Sequence, residues 1–105
     1  MATILPFTVK NVVPDWGLTE QECDAVHEAA FPLMQYGQST GVSVHNDGQY
    51  MCVFDRRGEP YSICREEGVC YLANPAETMV AYSREFEVVL EALIEMLSPT
   101  PYIPA

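Results

Sequence analysis

Between Asn74 and Leu97 the chain reads as one long amphipathic helix. Asn74 offers a side-chain oxygen to the unpaired amides of a first turn, Pro75 fits a position that needs no donor, and Glu77 suits the positive helix end. Met79, Tyr82, Phe86, Val89 or Leu90, Leu93 and Leu97 then recur at steps of three and four, which places them on one stripe. Such a helix is about 35 Å long, against a radius of gyration of about 13 Å for a compact domain of this size. The spacing therefore predicts an apolar face running the length of a sheet, with one end reaching toward a second subunit. Ser98 and Pro99 end the pattern, because the residue before a proline is pushed out of the helical region.

What precedes this stretch divides into a helix and a β-rich block. Trp16 to Glu22 carries a capping-box signature in which Thr19 caps and Glu22 reaches back, with Leu18 placed to pack on Cys23. Val26, Ala30 and Leu33 continue the apolar face, Pro32 predicts a kink or break near Phe31, and Gly37 is a natural stop. From Val42 to Ala73 the period becomes alternating, with turn signals at Asn46-Asp47-Gly48, Asp55 to Gly58 and Glu66 to Gly68. Strands are expected at Gly41–His45, Gln49–Phe54, Tyr61–Arg65 and Val69–Ala73. A further strand candidate, Phe7 to Val13, lies in an N-terminal arm over residues 1–17, and the proline-spaced tail 99–105 is expected to be extended. The fold class is α+β: a two-layer sandwich with an antiparallel sheet of four to five strands, packed by an N-terminal helix and a long C-terminal helix.

At 105 residues the chain is a single domain, large enough to bury a modest core. Its longest apolar run is a few residues, too short for a bilayer, and the N-terminus lacks the features of a signal peptide. A cytoplasmic location is the expectation, and with it four reduced cysteines. Fifteen acids against five bases give a net charge of −10, which argues against direct binding of nucleic acid. Both helices are expected to present acidic faces, the second through Glu87, Glu91 and Glu95. These are solvated surfaces or a docking face for a basic partner.

The chemistry-bearing candidates are few. Centring the last turn on Glu67 sets Cys64 opposite Cys70, and centring the previous one near Arg57 puts Cys52 on the same side. Tyr50, Cys52, Cys64 and Cys70 would then share a face fit for a small ligand, together with Phe54 and Leu72. The opposite face would carry Met51, Val53, Tyr61, Ile63, Val69 and Tyr71. Cys23 and His27, spaced i, i+4 on the first helix, are candidate metal ligands, able to join those thiols if that face packs on the helix. No CxxC pair, phosphate loop, GxSxG elbow or HExxH occurs, so no cofactor is indicated and catalysis has no positive signal. The sequence thus reads as a small, acidic, non-enzymatic protein-interaction module, expected to be a homodimer. The alternative is a small-ligand or metal sensor using the cysteine and tyrosine face.

Overall fold

The computed structural model of the protein describes residues 13–98. Apart from Val13, which belongs to no strand, the expected N-terminal strand lies outside these residues, as does the tail from Pro99. Helix α1 (Glu20–Gln35) is followed by strands β1 (Ser39–His45), β2 (Tyr50–Asp55), β3 (Pro60–Glu66), β4 (Val69–Ala73) and β5 (Met79–Ser83), and then by helix α2 (Phe86–Leu97). The five strands form one antiparallel meander in the order β1-β2-β3-β4-β5. Both helices pack on the same side of it, which gives the expected α+β sandwich.

The long C-terminal helix is shorter than its periodicity predicts. It begins at Phe86, has 12 residues and is about 18 Å long, short enough to lie within one subunit. Asn74 caps a hairpin instead of a helix. Its Oδ1 accepts from the Ala76 and Thr78 amides, its own N–H donates to the Thr78 carbonyl, and Glu77 takes a left-handed φ of 65°. Residues 79–83 then run as β5, with Leu72 opposite Ala81 and Tyr71 opposite Tyr82. Asn-Pro serves either start equally well. The β-compatible run Met-Val-Ala-Tyr-Ser completes the sheet, and a helix over the same residues would leave β4 as an edge.

Helix α1 starts as its capping box predicts, with Glu22 N–H donating to Thr19 Oγ1 and Thr19 N–H to Glu22 Oε1. It does not break at Phe31. Pro32 lies within the helix on an exposed position, as does Glu28, whose carbonyl has no N–H to accept from at Pro32. The helix ends in a Schellman motif: Gly37, at φ 79°, donates to the Met34 carbonyl and Gln38 donates to that of Leu33.

The core lies between the helices and one face of the sheet. Val26, Ala30 and Leu33 of α1, and Phe86, Val89, Leu93 and Leu97 of α2, meet Met51, Val53, Ile63, Cys70 and Leu72. At 25 cal/mol per Å², full burial of each such side chain contributes about 1.5–3 kcal/mol. Arg65 is the buried charge on this face: its residue is 2% exposed, and its guanidinium donates to both carboxylate oxygens of Glu22 at 2.8 and 2.6 Å and to the Gly17 carbonyl at 3.0 Å. Glu22 therefore ties the first turn of α1 to the middle of the sheet. The same junction is held by backbone bonds from Leu18 N–H to the Gly48 carbonyl and from Gly17 N–H to that of Arg65.

Candidate functional site

The other face of the sheet has neither helix over it. Along it lie Ser43 and His45 of β1, Tyr50, Cys52 and Phe54 of β2, Ser62 and Cys64 of β3, Tyr71 of β4 and Tyr82 of β5, as the register requires. Among its strand residues only Glu66, at the end of β3, carries a formal charge.

The register separates the cysteines that the turn arithmetic had grouped. Glu67 and Gly68 together form the β3–β4 loop, both at positive φ (52° and 81°), so the hairpin is centred between them. Cys64 pairs with Tyr71, and Cys70 pairs with Arg65 on the helix-covered face, where it is fully buried. A shift of one residue moves every side chain of a strand to the other face. Leu72 accordingly joins the core, and Val69 and Tyr71 move to the open side. Tyr50, Cys52 and Cys64 do share a face, with Tyr50 directly opposite Cys64. Tyr50, Ser62 and Cys64 line a hollow of about 340 Å³ with Asn46 and Gln49.

At one end of this face the β1–β2 connection holds three successive residues at positive φ, Asn46 (52°), Asp47 (58°) and Gly48 (94°). A Cβ on Gly48 would meet the Leu18 carbonyl oxygen and Cys23 Sγ only at ordinary contact distances, so it is the left-handed backbone at φ 94° that favours glycine there. Before the connection, His45 Nε2 lies 2.7 Å from Ser43 Oγ, and the ring stacks on Tyr50 at 4.7 Å and 5°. Cys52 Sγ lies 3.7 Å from Ser62 Oγ.

Three of the thiols, Cys23, Cys64 and Cys70, are pushed toward their neutral form. Burial pushes Cys64 up, and Glu66 adds to it. Burial also pushes Cys70 up, with Arg65 opposing. Cys23 is raised by burial and by Glu22, Asp24 and Glu20. Neutral thiols are poor nucleophiles and poor metal ligands. Cys23 and His27 do not meet the sheet cysteines: His27 is exposed and its Nδ1 is 3.0 Å from the Cys23 carbonyl oxygen. Among the described residues no three His, Cys, Asp or Glu side chains converge to hold a metal, so the three-thiol and histidine arrangement is not formed there.

Tyr71 and Tyr82 are, with Val69, residues of this face that the sequence pattern places elsewhere. The two tyrosines pair across β4 and β5 with ring centroids 6.5 Å apart, and Tyr82 is 65% exposed. The signal for Tyr82 is the β-rich run after Thr78, and that for Tyr71 the two-residue turn at Glu67 and Gly68. Among the described residues no helix is long and apolar enough to cross a membrane. Comparison of the chain with protein-family models, with characterised proteins and with solved structures gives no match.

Proposed function

We propose that this chain is a non-enzymatic interaction module that pairs with a second copy of itself through β5 and the adjoining open face of the sheet. The observation that carries this reading is β5 itself, Met-Val-Ala-Tyr-Ser, which among the described residues is an edge strand without charge or proline and exposes Met79, Val80 and Tyr82. Edge strands of monomers are commonly guarded by lysine, proline, a bulge or a covering element, and of these β5 carries the irregularity at Val80, between its Met79 and Ala81 pairings. A two-fold axis beside β5 pairs the strand antiparallel with its copy and continues the sheet across both subunits. The scarcity of charge on this face, where Glu66 is the one charged strand residue, matters because two chains of net charge −10 repel each other wherever their carboxylates meet. The exposed Glu87, Glu91 and Glu95 of α2 belong to the opposite layer and remain available to a basic partner.

Light scattering over a concentration series tests the reading. The expected result is a dimer that dissociates on dilution, and a Tyr82→Asp variant that stays monomeric with an unchanged far-UV spectrum. A wild-type monomer at all concentrations up to about 1 mM, the limit of a weak specific contact, would falsify it.

A second reading, small-ligand sensing at Tyr50 and Cys64, is favoured by the hollow those residues line with Ser62. Native mass spectrometry of protein prepared without chelator checks it: a bound mass displaced by Cys64→Ser supports it, and bare protein throughout argues against it.

A further inference from the structure

Where α1 ends, α2 ends and the β2–β3 loop turns, the surface opens into a cleft of about 550 Å³ lined by Tyr36, Gln38, Arg56, Arg57, Tyr61 and Ser98, among others. Two adjacent arginines here are out of keeping with the rest of the molecule, which has fifteen acids and five bases. Among the described residues the one ion pair is Arg65 with Glu22, so neither Arg56 nor Arg57 has a carboxylate within salt-bridge distance. Asp55 also borders the cleft, but its Oδ1 accepts from the Arg57 and Glu59 amides at 2.9 Å each and so builds the loop that presents the arginines.

We infer that this cleft binds a small organic anion, a carboxylate or phosphate carried on a planar ring. The two guanidiniums supply the planar, charge-assisted donors that such groups select. Tyr36, which is 78% exposed, and Tyr61 supply ring faces for an aromatic body, and the volume falls within the range of small-molecule sites. The helix ends set the orientation. Neither α1 nor α2 has a basic residue in its last turn, so both present the negative ends of their dipoles uncompensated. A bound anion is therefore drawn to the arginines, with its neutral body toward the helix ends. This site does not depend on self-association through β5.

The test is an amide NMR titration with phenyl phosphate, inorganic phosphate and benzyl alcohol as probes. Phenyl phosphate is expected to move the resonances of residues 36–38, 55–58 and 98 saturably, with inorganic phosphate weaker and benzyl alcohol without effect. Arg56→Gln with Arg57→Gln is expected to weaken phenyl phosphate about tenfold or more. Tyr36→Ala is expected to weaken phenyl phosphate without changing inorganic phosphate, and Arg84→Gln, outside the cleft, to change neither. Should the double substitution disturb the folded spectrum, the two single substitutions decide in its place. Non-saturable shifts, or equal losses from Arg84→Gln and the cleft arginines, would overturn the site in favour of diffuse charge attraction.

Discussion

The two faces of the sheet are made from similar residues and end in different states. On β2, Met51 and Val53 are fully buried beneath the helices, while Tyr50 and Phe54 on the same strand remain partly exposed on the open side. On β4, Cys70 and Leu72 are fully buried, and Tyr71 between them is not. Apolar character is present on both sides, so it does not decide which becomes the core. The helices decide it. Val26, Val89 and Leu93 approach one side, and the strand alternation fixes which residues they meet. The open face keeps its tyrosines because their hydroxyls are tolerated where water reaches them.

Thiol labelling gives the largest contrast between the faces. Cys70 is fully buried, and Cys64, one register position away in its hairpin, is partly exposed. In native protein Cys64 is expected to alkylate directly, and Cys70 only through opening of the fold, at least about a thousandfold more slowly. Because burial raises both thiols, the Cys64 rate should rise as the medium becomes more alkaline. Peptide mass spectrometry assigns the sites, and equal rates would mean that the faces are not as described.

Next in size is a pair of truncations measured by urea denaturation. Leu72→Ala removes a fully buried side chain and should cost about 3–4 kcal/mol. Tyr71→Ala, its neighbour on the open face, should cost about 1 kcal/mol or less. A Tyr71 cost equal to that of Leu72 would show the open face to be covered in solution, which is the outcome a tight dimer predicts.

The buried charge on the covered face gives the third contrast. Glu22→Ala removes a capping partner and leaves Arg65 buried without its carboxylate, a loss of about 2–3 kcal/mol at neutral pH. The sign with pH follows from Glu22. Burial alone raises its carboxyl, but hydrogen bonds from Arg65 and from the Thr19 amide outweigh that and hold it below the ordinary 4.5. Its contribution is then fully present above that value and lost as pH falls through the lower folded value. The stability gap between wild type and Glu22→Gln should be level at neutral pH and shrink in acid below 4.5. A gap that widens on acidification would contradict the geometry.

Most of this architecture was legible from residue patterns, and what was not has identifiable physical causes. The capping box at Thr19, the Gly37 stop, four strands and the stripe from Phe86 to Leu97 all carry signals contained within a few residues. The face of Cys70 depended on whether a turn was centred on Glu67 or between Glu67 and Gly68, half a residue that moves a side chain across the sheet. The seat of Arg65 depended on where α1 docks on the β1–β2 loop, which no local pattern encodes. The clustering of Arg56 and Arg57 with the two helix ends likewise exists only after packing. Asn74 misled because one side chain caps helices and hairpins with the same hydrogen bonds.

The smallest predicted effect concerns that last ambiguity. The loops Asp55–Glu59 and Asn74–Thr78 are built alike: each first residue accepts two amides through Oδ1 and donates its own N–H to the carbonyl four residues on. In each, the fourth residue is left-handed, Gly58 at φ 82° and Glu77 at φ 65°. Glycine adopts that conformation without steric cost, and glutamate does not. Glu77→Gly should therefore stabilise the protein by about 0.5–1 kcal/mol. Gly58→Ala, where an added Cβ meets nothing within 4 Å, should destabilise it by about 1 kcal/mol through backbone strain alone. The pair isolates the backbone term, because neither change touches either face of the sheet. If Glu77→Gly instead lowers stability, residues 74–77 are not in the hairpin loop that brings β5, with Val80 and Tyr82, to the edge of the sheet.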